Sequence, residues 1–160
     1  MAELRIGLGV DAHAFEEGVR LVLGGVAIDF PRGLAGHSDG DVIAHALTDA
    51  VLGAAGLGDI GSLFPADDER WQGADSLHLL RDSYSQVRDA GFELVNADCI
   101  LIGEEPRIAV HRDEMRQRLA GALGVGPERV NVRATTTDRL GFTGKGEGLA
   151  AQAVALLERA

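Results

Sequence analysis

Leu4-Arg5-Ile6-Gly7-Leu8-Gly9-Val10-Asp11-Ala12-His13 is the stretch on which the fold turns. Two readings compete for it. Gly7-Leu8-Gly9-Val10-Asp11-Ala12 fits the Gly-x-Gly-x-x-Ala spacing of a dinucleotide fingerprint, and Asp29 lies 20 residues beyond Gly9. That fingerprint needs a helix directly after its glycines. His13 to Val19 is too short for one and is interrupted by Gly18. The fingerprint is therefore rejected, and Leu4 to Asp11 reads as a strand. Asp11 at its end and His13 two residues on project from the same face.

Outward from this strand, Leu21 to Phe30 reads as a second strand, bulged or bent at Gly24-Gly25 and closed by Pro31-Arg32-Gly33. A polar loop, Gly36-His37-Ser38-Asp39-Gly40-Asp41, follows, with Asp39 a candidate helix cap. Asp41 to Ala55 has helical periodicity through Ile43, Leu47, Val51 and Leu52, and Gly56 to Gly61 breaks it. After an acidic loop (Phe64 to Gly73), a second helix runs from Asp75 or Ser76 to Gly91. Phe92 to Ile102 reads as a strand, His111 to Leu123 as a third helix, and Val130 to Thr136 as a cleanly alternating strand. A Gly-rich loop, Gly141 to Gly148, leads into a closing helix at Leu149 to Leu157. The expected architecture is one compact α/β (α+β) domain over residues 1–160. Its element order is ββααβαβα, with a mixed four-stranded sheet and helices packed on one side.

Composition narrows the function. The chain has 160 residues, 46% of them hydrophobic, and a formal net charge of −10. Such a surface repels phosphate backbones and anionic lipid, which argues against nucleic-acid and membrane partners. One cysteine rules out a disulfide framework or a Cys-rich metal site, and 4% aromatic residues leave little for a base-stacking platform. The first residues carry no basic stretch with an apolar run behind it, and no apolar run approaches the ~20 residues of a membrane span. The expectation is a cytoplasmic protein.

Three segments carry candidate chemistry. The first gathers Asp11, His13, His37 and His45 among further aspartates. A strand-end Asp-x-His plus one more histidine makes a three-ligand metal site, with a fourth position open as in catalytic zinc centres. Neighbouring acids can orient the imidazoles. Either His37 or His45 can be the third ligand on this reading. The second segment is Ala134-Thr135-Thr136-Thr137-Asp138, at the carboxyl end of a strand. Its hydroxyls and N–H groups suit phosphate, and Asp138 suits a hard cation. The third, Gly141-Phe142-Thr143-Gly144-Lys145-Gly146-Glu147-Gly148, is glycine-rich like a phosphate nest but lacks the P-loop spacing. Cys99 reads as a small core residue, and His78 and His111 as surface or core residues without ligand partners.

Taken in order, Gly9-Val10-Asp11-Ala12-His13, His37-Ser38-Asp39-Gly40-Asp41, His45 to Ala50, Gly58-Asp59-Ile60-Gly61, Gly73-Ala74-Asp75-Ser76 and Ala134 through Gly148 give a specific pattern. Across essentially its whole length the chain resembles the 2-C-methyl-D-erythritol 2,4-cyclodiphosphate synthase family, enzymes of the non-mevalonate isoprenoid pathway. The resemblance implies a homotrimer with active sites between subunits. It implies zinc on Asp11, His13 and His45, and a second ion, magnesium or manganese, at Asp138. Asp59 and Gly61 would hold the methylerythritol part near His37 and Ser38, and Phe64 and Ala109 would be further substrate contacts. Gly103, Pro106, Arg107, Ile108 and Ala134 would form the cytidine pocket. Thr135 and Thr136 would hold phosphate, and Phe142 and Lys145 would complete the substrate contacts. The implied catalytic set is Asp11, His13, His45, Thr136 and Asp138.

The implied reaction belongs to a phosphorus–oxygen lyase. In 4-diphosphocytidyl-2-C-methyl-D-erythritol 2-phosphate, the 2-phosphate attacks the β-phosphorus and CMP leaves. Four segments depart from the family's usual residues: Asp138 for Glu, Arg107 for Lys, Ala66-Asp67-Asp68 for Asp-Thr-Asp, and Lys145 for Arg. In the family, position 145 and Glu147 line a central cavity that takes isoprenoid diphosphates, and Lys there gives up bidentate phosphate contact. Two other readings are a zinc phosphohydrolase, and a non-catalytic trimer that binds isoprenoid diphosphates.

Overall fold

The computed structural model describes residues 1–36, 38–65, 67–71, 73 and 75–159. Its strands are β1 (Glu3–Glu17), β2 (Leu21–Leu23), β3 (Val26–Ile28), β4 (Arg32–Leu34), β5 (Glu93–Ile102), β6 (Val130–Thr135) and β7 (Gly148–Arg159). Its helices are α1 (Val42–Ala55), α2 (Ile60–Leu63), α3 (Ser76–Asp89), α4 (Arg112–Leu123) and the single turn α5 (Gly141–Gly144). Short 3₁₀ turns lie at Glu69–Trp71, Ala109–His111 and Pro127–Arg129. The main sheet has the order β4-β1-β7-β5-β6, and β2 and β3 form a separate hairpin. All neighbours in the main sheet are antiparallel except β5 and β6.

The mixed α+β class with helices on one sheet face is observed, but four details of the expectation are corrected. The closing segment is a strand, so the order does not end in a helix. Its Ala- and Leu-rich sequence favours a helix in isolation, yet it fits between two partners, β1 from Glu3↔Arg159 to Ala14↔Gly148 and β5 on the other side. Two ladders of main-chain hydrogen bonds override local propensity. The sheet has five strands rather than four, because β7 and the three-residue edge strand β4, paired at Phe15↔Leu34, join it while the Leu21 to Phe30 segment stays out. Leu21 to Phe30 is not one bulged strand but a hairpin, with Gly24 and Gly25 both at positive φ in its turn. Finally, the cap of α1 is Asp41, whose side chain accepts from the Ala44 N–H, while Asp39 accepts from the N–H of Asp41.

The core explains the glycines of β1. α1 is buried on nearly every side, lying between the sheet and α3. A Cβ at Gly7 would overlap the Ala50 carbonyl oxygen, and one at Gly9 that of Ala46. The Gly-x-Gly spacing therefore serves backbone-to-backbone approach of helix and strand, not a pyrophosphate. Ala151, Ala153 and Ala155 of β7 are buried in the same core. The opposite sheet face is apolar and open: Leu4, Ile6, Leu8, Val10 and Val154 are 60%, 73%, 63%, 56% and 41% exposed.

Candidate active site

Asp11 and His13 lie within β1, which runs on to Glu17 rather than ending at Asp11 as its sequence suggested, and the close approach of α1 to β1 brings His45 to them. The ligand atoms of Asp11, His13 and His45 all lie within 4.8 Å of one another. His13 Nε2 stands 2.8 Å and His45 Nδ1 3.0 Å from the same oxygen, Asp11 Oδ2. The two imidazoles meet edge to face, with centroids 5.6 Å apart. Tetrahedral zinc with bonds of ~2.0–2.1 Å has ligand–ligand edges of ~3.3 Å. Two imidazole nitrogens and a carboxylate oxygen, gathered this closely and part-exposed, suit a divalent ion with one side open. The side chains are 24%, 21% and 11% exposed for Asp11, His13 and His45.

Electrostatics at this corner are those of a ready ligand set. Burial opposes the charge on Asp11, but hydrogen bonds from His13 and His45 overcome it and draw its pKa down to about 2. Burial also opposes a charge on His45, and its hydrogen bond to Asp11 overcomes that in turn, raising its pKa. A metal must displace the Nδ1 proton, so affinity at this corner rises with pH.

Of the two candidate third ligands, His45 stands in the cluster. His37 lies outside the described residues. Its neighbour Ser38 places Oγ 2.9 Å from His45 Nε2. One helical turn after His45, Asp49 Oδ1 accepts the Ile60 N–H at 2.7 Å. Asp59 caps α2 by accepting from the Ser62 N–H at 2.8 Å. Asp49 thus ties the segment of Asp59 and Gly61 to the ligand-bearing helix. Phe64 follows α2 as its C-cap, half-buried.

A second cleft of about 210 Å³ opens beyond the carboxyl ends of the parallel pair β5 and β6. Gly103, Pro106, Arg107, Ile108, Ala109, Ala134, Thr135 and Thr136 all line it. This is where open α/β sheets place ligands. At its rim the chain passes through two successive non-glycine residues at positive φ, Asp138 (52°) and Arg139 (66°). Such backbone costs ~1–3 kcal/mol per residue and gathers at functional sites. The turn is held by Glu104, whose carboxylate accepts the Arg139 N–H at 3.1 Å, and by Thr136 Oγ1, 3.3 Å from Asp138 Oδ1. Asp138 stands outside the Asp11 cluster. Phe142 and Lys145 belong to α5 and its C-cap, and both are exposed.

A larger cleft of about 640 Å³, between α3 and α4, contains none of the residues expected to be functional. Cys99 is buried in the core, where desolvation pushes its thiol up to about 12, and His78 and His111 lie outside the metal-ligand cluster. Reading the sequence by residue named Asp39 and Asp49 only among acids able to orient the imidazoles, without their partners, and missed Ser76 and Glu104 as supports of the site. Each acts on a partner at least 11 positions away in the chain, beyond the reach of motif spacing.

A family model described as the YgbB family matches residues 4–158. The 2-C-methyl-D-erythritol 2,4-cyclodiphosphate synthase of Rubrobacter xylanophilus is 61% identical over 163 residues, covering 100% of this chain and 98% of its own. The structure of the bifunctional IspDF from Campylobacter jejuni superimposes with a TM-score of 0.96 at 44% identity. That match covers 100% of this chain and 43% of that one. A 2C-methyl-D-erythritol-2,4-cyclodiphosphate synthase structure in its CDP-bound form gives a TM-score of 0.87 at 40% identity, covering 96% of this chain and 99% of that one.

Proposed function

This chain belongs to the YgbB family, an enzyme family whose members resembling it are named as cyclodiphosphate synthases, and from that premise we propose the reaction its own residues perform. The class is a phosphorus–oxygen lyase of the non-mevalonate isoprenoid pathway. The substrate is 4-diphosphocytidyl-2-C-methyl-D-erythritol 2-phosphate. An oxygen of its 2-phosphate forms a bond to the β-phosphorus. The bond from that phosphorus to the bridging oxygen breaks, and the oxygen leaves with CMP.

The nucleophile is an ionised phosphate of the substrate, so no strong protein base is needed. The chain's task is to fold a polyanion back on itself. Thr135, Thr136 and neighbouring N–H groups hold phosphate oxygens beside the cytidine cleft of Gly103, Pro106, Arg107, Ile108, Ala109 and Ala134. Ser38, Asp59, Gly61 and Phe64, with His37, hold the methylerythritol part, and Phe142 and Lys145 complete the contacts. Asp11, His13 and His45 would hold zinc, and Asp138 a magnesium or manganese ion shared with the diphosphate. These ions would supply Lewis-acid polarisation and offset the charge of a protein at −10.

We read residues 1–160 as one synthase domain, assembled as a homotrimer through the open apolar sheet face. A 210 Å³ cleft is smaller than complete ligand pockets of ~300–1,000 Å³, which fits a site finished by a neighbouring subunit. A water-soluble nucleotide substrate fits a cytoplasmic enzyme. The relatives' names favour neither the phosphohydrolase nor the isoprenoid-binding reading.

The observation that carries the proposal is the Asp11–His13–His45 cluster in a chain of this family. Phosphorus NMR of the protein with the cytidyl substrate and magnesium tests it, with and without a zinc chelator. Equal release of CMP and the cyclic diphosphate, lost on chelation and in His45→Ala, is the expected result. Linear phosphates would turn the reading to hydrolysis, and full turnover by His45→Ala would remove the zinc assignment.

A further inference from the structure

We propose that Ser76 and Asp39 are positioning residues that fix the imidazole of His45 for metal binding; this rests on the metal reading above. His45 presents Nδ1 to Asp11, so Nε2 faces away from the ligand corner. There it meets Ser76 Oγ at 2.8 Å. Ser76 is fully buried at the start of α3, and its hydroxyl also bonds Asp39 Oδ1. Asp39 is itself held at both oxygens, accepting the Asp41 N–H on Oδ1 and the Ser76 N–H on Oδ2, each at 3.1 Å.

The direction of this chain follows from counting protons. A carboxylate only accepts, and a hydroxyl has one proton to give. Ser76 gives its proton to Asp39 and must accept at His45. The partner it accepts from is Nε2–H. With the proton on Nε2 fixed by Ser76, the proton on Nδ1, held against Asp11, is the one a cation displaces, on the side where Asp11 and His13 converge. A carboxylate acting through a hydroxyl does here what a carboxylate bonded directly to a ligating histidine does elsewhere. Ser38 also reaches Nε2, at 2.9 Å, and its hydroxyl lies 3.4 Å from both the Gly40 nitrogen and Ser76 Oγ, but among the described residues no carboxylate orients it. Ser76 is the fixed support.

The test is zinc affinity of the purified full-length protein, measured by competition with a chromophoric chelator. Ser76→Ala should bind zinc 10–100-fold more weakly, the usual size of such an outer-shell loss. The melting temperature of the metal-free protein should stay within a few degrees of wild type. Ser76→Thr keeps the hydroxyl and should restore affinity to within about threefold. Asp39→Asn leaves the buried serine in place and serves should Ser76→Ala fail to fold. Its amide turns a donor toward one of the groups that need an acceptor, so affinity should fall in the same direction. Wild-type affinity in Asp39→Asn and in folded Ser76→Ala overturns the positioning role while the metal site stands. Wild-type protein that takes up no zinc overturns the metal reading and this inference with it.

Discussion

Asp41 shows how much one side chain in this fold is asked to do. It caps α1 through the Ala44 N–H and accepts the Gly24 and Gly25 N–H groups of the hairpin turn at 2.9 and 2.7 Å. It is wholly buried, and desolvation outweighs those three donors, raising its pKa to about 6. In the unfolded chain the value is near 3.9. The folded state thus holds this proton more tightly. The stability it lends is complete below about pH 4 and is lost as pH rises through about 6, by roughly 3 kcal/mol. Asp41→Asn removes the titration and one of the acceptors. The difference in unfolding free energy, wild type minus variant, should therefore shrink by about that amount between pH 4 and pH 7. Urea denaturation across the range checks it, and a difference independent of pH would refute the assignment. At the same scale, Asp11, His13 and the two candidate third ligands were legible in the sequence, because Asp-x-His at a strand end is a local pattern. Asp39 was legible only as one of several acids near the histidines; its link through Ser76 was not, since 37 positions separate the two and only the packing of α3 against α1 brings them together.

At the scale of elements, the meeting of α1 and β1 sets the site. Gly9→Ala would drive a methyl group into the Ala46 carbonyl, adjacent to His45. The variant should lose about 1–3 kcal/mol of stability and bind zinc more weakly, because the ligand-bearing helix must move. Gly53 lies in the same helix with open space where a Cβ would stand. Gly53→Ala should gain about 0.5–1 kcal/mol. Denaturant unfolding of the pair separates a packing requirement from a general intolerance of alanine. The helices were readable from their apolar periodicity and from marked ends, an aspartate at Asp75 and left-handed glycines at Gly56 and Gly124, although the cap of α1 proved to be Asp41 rather than Asp39. β7 was not readable. Its alanines are dictated by helix and strand neighbours on the buried face, and the same residues, taken without neighbours, favour a helix.

For the whole molecule, the decisive feature is a sheet with helices on one face and apolar side chains open on the other. Exposure of this size marks an association surface. On the proposed trimer, Ile6→Glu or Leu8→Glu should leave the fold intact, since neither side chain belongs to the core, yet shift sedimentation from trimer to monomer. Turnover should fall with assembly if neighbouring subunits share the site. An unchanged sedimentation mass would locate the contact elsewhere.

The pairing of β1 with β7 reaches from Glu3 to Arg159, and it has a consequence in time as well as in space. The strand that bears Asp11 and His13 is synthesised early, but its main partner is synthesised more than a hundred residues later. Until then a nascent chain on the ribosome displays β1 with no strand beside it on that side. Folding of this topology is dominated by distant contacts, which makes it slow, and the waiting strand is the part a chaperone would have to shield from other nascent chains.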